Sequence, residues 1–266
     1  MEELWLKVLD QDGSVKAESR GTDEVNLFFR GTYQEGDQIV FGTSSPKMFV
    51  WLQLDDALGR SLVYLTGNAS YIIPFGEKRA NISPKAFLGE KHLLSIKKAK
   101  DYEINSYRNV ALNVNDQHKI QNVYPHALAN VETRGESVFA AQNAIDGVTI
   151  NSSHGEWPFE SWGINQQEDA KLKLDFGREV EIDRIILYTR ADFPHDNWWK
   201  QVSFSFSDKS SIIMKMEKSE KPHEITFERK KISWLEMHDM KKSEDPSPFP
   251  ALTQIEVYGT EGSNKD

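Results

Sequence analysis

Apolar and polar residues change places at short intervals along most of the chain, and no long stretch shows the 3.6-residue recurrence of an amphipathic helix. Residues 48–54, MFVWLQL, form an apolar run suited to a sandwich core, and 60–65, 71–75 and 92–96 read as further short strands separated by Gly, Asn, Ser and Pro. Residues 84–89 have room for one helical turn. The stretch 105–121 is polar and Asn-rich, ends in Asp116-Gln117-His118, and reads as a return strand followed by a linker. A second series of alternating segments covers 171–176, 182–190, 202–207, 212–216, 224–228, 232–238 and 254–258. Strands at this density between turn signals predict antiparallel sandwiches. The expected fold class is all-β, with two antiparallel β-sandwich domains over residues 1–120 and 121–262. The tail 262–266 is expected to be disordered.

Composition narrows the function. A chain of 266 residues suits two domains of ordinary size, and 38% hydrophobic with 11% aromatic residues is globular in character. The absence of Cys excludes disulfides, thiolate catalysis and Cys-type zinc sites. A formal net charge of −9 argues against nucleic acid, since phosphate binding needs a cationic face and the basic runs at 97–98 and 229–231 are short. No apolar run reaches the length of a membrane span. The start MEELWLK lacks the basic and apolar regions of a signal peptide, so the expected location is cytoplasmic, with an extracellular one left open. Phosphate-cradling Gly-rich loops, a GxSxG elbow and an HExxH pair are all missing.

Two loops concentrate the polar chemistry. Residues 140–163 run AAQNAIDGVTINSSHGEWPFESWG, and 190–199 run RADFPHDNWW. Trp, His and acid gathered in loops next to strands are more typical of ligand surfaces than of plain connections.

A family resemblance rests on five segments in order. These are AQNAIDG at 141–147 with Trp162 after it, LKLDFG at 172–177, IDRIILYTR at 182–190, FSFSD at 204–208 and IEVYG at 255–259. Lys209 stands where the pattern has Gly. Over the C-terminal half the chain resembles the discoidin, or coagulation-factor C-type, domain, a group that includes family 32 carbohydrate-binding modules. The resemblance implies an eight-stranded, galactose-binding-like jelly roll whose end loops bind sugars or, in some members, membrane lipid. Residues 1–115 lack these motifs, but their pattern around 36–39 and 51–55 would suit another galactose-binding-like jelly roll. The resemblance also implies a structural calcium beside the Asp-Gly turn. Carried over, its ligands are Asp146, Glu256, the side chain of Asn151 and carbonyls near Asn143 and Val148. Calcium takes six to eight oxygens, which such a turn supplies. Val148 departs from the usual acid or amide at its position, and the plainer reading is an ordinary tight turn with a solvated Glu256.

Sugar sites combine a flat apolar face with planar hydrogen-bonding groups. The candidates are Trp157 or Trp198 as platform and Arg190, Asp192, His195 and Asn197 as polar contacts, joined by His154 and Glu156. Trp162 and Trp199 read as core aromatics. Arg190 has Asp192 or Glu160 as a candidate ion-pair partner, and residues 234–238 and 246–250 offer a third wall. The expected function is non-catalytic carbohydrate binding. Two alternatives stand beside it. One is an enzyme acting on a glycan in a cleft between the halves, using two carboxylates among Glu156, Glu160, Asp192 and Asp196. The other is an interaction or oligomeric scaffold. His154, Asp192 and His195 also form a candidate transition-metal set.

Overall fold

The computed structural model describes residues 2–262; the expected disordered tail lies, at 263–266, outside the described residues. The fold is all-β and its sheets are antiparallel. Helical segments among the described residues are short turns, including Gly76–Arg79 and α1 (Asp101–Ile104), and 84–89 is a run of turns rather than a helix. Among the described residues no helix is long and apolar enough to cross a membrane.

The first core lies between two sheets. One has the order β2 (Val15–Gly21), β1 (Leu4–Leu9), β4 (Gln38–Thr43), β7 (Ala69–Ile72). The other has the order β10 (Val123–Tyr124), β6 (Ser61–Leu65), β5 (Met48–Gln53), β8 (Lys91–Lys98), β3 (Glu24–Arg30). Strict alternation produces this arrangement. In β1, Leu4, Leu6 and Val8 are buried while Trp5 and Lys7 face outward. In β3, Val25, Leu27 and Phe29 do the same. Strands β1 to β3, within residues 4–30, are not expected from the sequence and are additions.

The second core is wrapped by β11 (His126–Ala129), β12 (Trp162–Gly163), β13 (Leu172–Thr189), β14 (Trp199–Phe206), β15 (Ser211–Lys215), β16 (His223–Lys242) and β17 (Ala251–Glu261). Two long strands take part in both of its layers. The first residues of β13, Leu172 to Asp175, pair with β11 and with Met237 to Trp234 of β16, which continues onto β14 and β15. Beyond an irregularity between Asp175 and Val180, β13 pairs instead with β17 and with the earlier part of β16. Gly177 occupies that irregularity at φ 65°, against the ring of Tyr124. A bulge of this kind bends a strand and lets it change sheets. Trp162 and Trp199 are wholly buried in this core, beside Phe176, Phe204 and Phe206.

Short strands cross between the two units. β10 belongs to the first sheet system, whereas β9 (Arg108–Asn109) precedes it in sequence and pairs with β17. The polar segment between them is pinned on both sides. The Asn115 amide donates to the Leu52 carbonyl at 3.1 Å, and Asn113 donates to the Pro125 carbonyl at 2.9 Å. Asp116 accepts from the Ala127 amide at 2.9 Å and meets His126 Nδ1 at 2.7 Å. Its Asn content therefore reflects buried backbone partners, because an enclosed carbonyl or amide must be paired.

Candidate functional site

The loop following β13 closes on itself. The Asp196 amide donates to the Asp192 carbonyl at 3.1 Å, and the Asp192 amide donates to Asp196 Oδ2 at 3.0 Å. The Ala191 amide donates to the Asn151 carbonyl at 2.8 Å, which fastens this loop to the one carrying His154. Buried Asp196 also receives the Arg190 guanidinium, with Nε at 3.0 Å and Nη2 closer still. Asp196 is thus the ion-pair partner of Arg190, in place of Asp192 or Glu160.

Above this pair, the rings of His154 and His195 stack with centroids 3.9 Å apart and planes 8° from parallel. Phe249 continues the flat surface, its centroid 5.9 Å from that of His195. His154 Nδ1 lies 2.9 Å from Asp192 Oδ2. His154, His195 and Phe249 border a cleft of about 370 Å³. Its apolar lining comes from Phe139, Phe249 and the flanking prolines Pro248 and Pro250, and its polar lining from Arg190, Arg134, Asn165 and Gln166. The 246–250 run contributes this wall, while 234–238 lies inside β16, with His238 Nε2 2.8 Å from Ser205 Oγ.

The structure brings together His154, Arg190, Asp192 and His195. It places the other four candidates elsewhere. Trp157 and Glu156 border a shallow surface hollow with Gly76 and Pro84, and the Trp157 amide donates to the Ala80 carbonyl at 2.8 Å. Trp198 is half-buried immediately before β14, its carbonyl accepting from the Ser243 amide at 2.9 Å. Asn197 is buried, and its amide donates to the carbonyls of Asp245 at 2.9 Å and Ser247 at 2.6 Å. It therefore shapes the 243–250 loop from beneath rather than facing a ligand. No indole lines the cleft; Phe249 and the two imidazoles form its flat face.

The Asp-Gly turn has a different set of neighbours from the calcium set expected. The Val148 amide donates to Asp146 Oδ1 at 2.8 Å, and the β17 residue touching the turn is Gln254, which accepts from the Gly147 amide at 3.2 Å. Asn151 Nδ2 donates to the Thr189 carbonyl at 2.8 Å. The Asn143 side chain accepts from Asn81 at 2.7 Å and donates to the Ser137 carbonyl at 2.9 Å. Glu256 is half-buried and bonds with Tyr258; burial raises its pKa. The acid facing Asp146 is Glu160, at 1% exposure, with neither carboxyl oxygen meeting a donor among the described residues. Burial pushes Glu160 up to about 7. Burial first, and the charge of Glu160 second, raise Asp146 well above its ordinary value. Two enclosed carboxyls with no cationic partner suit a divalent ion or a shared proton. Glu160 stands in the sequence as a candidate carboxylate and partner of Arg190; its pairing with Asp146 is set by the folding of the 140–163 loop against residues such as Asn81 and Asn113, which the sequence does not mark.

Residues 122–257 match the family described as domain of unknown function (DUF7402). No curated protein matches the chain. Among solved structures, one similar to it is chitosan-binding module 1 from a chitosanase/glucanase of Paenibacillus sp. IK-5, at 18% identity and TM-score 0.40, covering 57% of this chain and 98% of that one. Another is the lectin binding domain of Lectinolysin complexed with Lewis b, at 16% identity and TM-score 0.41, covering 59% and 99%. A third is the family 32 carbohydrate-binding module of C. perfringens NanJ in complex with galactose, at 16% identity and TM-score 0.36, covering 50% and 91%.

Proposed function

The chain belongs to the DUF7402 family, through a domain spanning residues 122–257, and from the cleft in that domain we propose that it is a non-catalytic carbohydrate-binding protein. The observation that carries this reading is the pairing, in one open cleft, of a flat face with planar polar groups. Phe249 and the His154–His195 stack form the face, and Arg190, Asn165 and Gln166 surround it. The C–H side of a sugar ring packs on such a face, while its hydroxyls exchange hydrogen bonds with guanidinium, amide and imidazole. The volume, about 370 Å³, falls at the lower end of the range for small-molecule sites. The buried Arg190–Asp196 pair fixes the floor, so little order is lost on binding.

Binding without chemistry is favoured by the use made of the acids. Asp196 is held by Arg190, and Asp192 by His154, so the cleft does not present two free carboxylates across a gap as glycoside hydrolysis requires. Asp146 and Glu160 border a separate, much smaller cavity.

Glycan-array binding followed by calorimetry with the monosaccharide units of the best ligands tests the proposal. Phe249→Ala and Gln166→Ala are each expected to weaken binding about tenfold or more with unchanged melting temperature. Absence of any glycan binding, or binding indifferent to both substitutions, overturns it.

A further inference from the structure

We propose that His154, Asp192 and His195 form a binding site for one borderline divalent transition-metal ion of the zinc class, at the rim of the cleft. The proposal does not depend on the carbohydrate reading. One ligand atom from each residue lies within 4.8 Å of the other two, and among the described residues this is the group of three His or acid side chains so arranged. Zinc bonds of about 2.0–2.1 Å in a tetrahedral site set neighbouring ligand atoms about 3.4 Å apart. To share one ion the two imidazoles must turn out of their parallel stack, because a metal lies near the plane of each ring that ligates it; all three side chains are partly exposed, which leaves room for that turn.

The donor set selects the class of ion. Two imidazole nitrogens and one carboxylate oxygen suit zinc, nickel or copper, whereas calcium and magnesium take oxygen alone. The surroundings of His195 match a metal ligand in a second respect. Its Nδ1 lies 3.3 Å from Asp196 Oδ1, a buried carboxylate, which leaves Nε2 as the outward ligand atom. A carboxylate behind a ligating imidazole fixes its tautomer and orientation. Asp196 also neutralises Arg190, so the nearest buried cation does not oppose a metal charge.

Both ligand-bearing loops are held in place independently of a metal. The Ala191 amide to Asn151 carbonyl bond joins them, and Ser247 Oγ donates to the His195 carbonyl. Three protein ligands leave at least one coordination position for water or an oxygen ligand, the pattern of an open rather than a closed structural site.

Calorimetry of the untagged full chain with zinc chloride, in the absence of sugar, tests the site. One equivalent is expected to bind, with affinity reduced at least tenfold in His154→Ala and in His195→Ala. His223→Ala is expected to leave it unchanged. A hundredfold excess of calcium is expected not to compete. Long-range 1H–15N spectra of the unsubstituted protein supply a measurement independent of variant folding: of seven histidines, His154 and His195 are expected to shift on titration. No zinc binding, binding retained when both histidines are replaced, displacement by calcium, or shifts spread over the other imidazoles overturns the proposal.

Discussion

Arg178 grips Glu261 with two parallel hydrogen bonds, Nε to Oε2 at 2.9 Å and Nη2 to Oε1 at 2.8 Å, and lays its guanidinium over Phe49 and Tyr64 on the half-buried outer faces of β5 and β6. Arg108 adds a third bond to the same carboxylate at 2.6 Å. Burial disfavours the Glu261 charge, but the hydrogen bonds and charge of Arg178, with Arg108, outweigh it and hold the carboxyl below its ordinary 4.5. A lowered folded-state pKa gives stability that is present above the unfolded value and lost as pH falls through the folded one. Glu261→Gln is therefore expected to cost about 3 kcal/mol at neutral pH, and the difference from wild type is expected to shrink below pH 4. Urea melts at pH 7 and pH 3.5 measure both; equal losses at the two values would refute the coupling.

Asp146 and Glu160 act in the opposite sense. With both pKa values raised, the folded state holds protons that the unfolded chain releases above about 4.5. Their contribution is complete below the unfolded values and declines as pH rises through about 7. Wild type is expected to lose stability between pH 5 and pH 8, about 2–3 kcal/mol of it from Glu160, with Asp146 acting in the same direction. Glu160→Gln should flatten that slope. Calcium, if it takes the place of the protons, should raise the melting temperature at pH 8 more than at pH 5, and only while Glu160 is present. Thermal melts with calcium and with chelator decide the matter.

Removing the charge under the cleft is a different experiment from altering its walls. Asp196→Asn leaves buried Arg190 uncompensated, at an expected cost of about 3–5 kcal/mol. It also leaves one side-chain oxygen where two now meet His195 Nδ1 and the Asp192 amide. Chemical denaturation should register the loss, together with weaker glycan binding. Gln166→Ala, on the exposed wall, should affect binding alone.

Gly177→Ala tests the bend in β13. Left-handed backbone costs a non-glycine residue about 1–2 kcal/mol, and an added Cβ would stand 2.3 Å from the Tyr124 ring. A loss above about 2 kcal/mol is expected, partly relieved by Tyr124→Ala in the same chain. A double variant whose loss equals the sum of the two single losses would show that the backbone, and not the ring, sets the cost.

How much of this is legible from the sequence differs from element to element. Residues 48–54 overlap β5 and 182–190 overlap the second part of β13, because apolar side chains there recur with the strand period. A glycine at 177 and a basic triplet at 229–231 resemble strand ends in the sequence, but β13 and β16 run on through both: Gly177 sits in a register irregularity, and Lys230 and Lys231 pair with Ile182 and Glu181 beside another. In β1 to β3 the alternation is as clear, but Trp5 and Phe28 on the outward face blur it. At the cleft, residue type indicates chemistry without indicating direction. His154, Asp192 and His195 converge, while Trp157 and Trp198, equally suited by composition, are carried away by backbone bonds to Ala80 and Ser243. Phe249 lies in a proline-rich run that reads as a turn, and its stacking on His195 depends on Asn197 holding that loop from below.

The crossed placement of β9 and β10 governs how the chain can be divided. Cutting at 120/121 would take Val123–Tyr124 from beside β6 and Arg108–Asn109 from beside β17, leaving each fragment with a raw border where a neighbour had been. Bare borders of this kind recruit foreign chains. A fragment meant to carry the cleft alone would need residues 105–121 to travel with it, and the amino-terminal piece would still lack its closing segment. The two sandwiches are stitched, not strung.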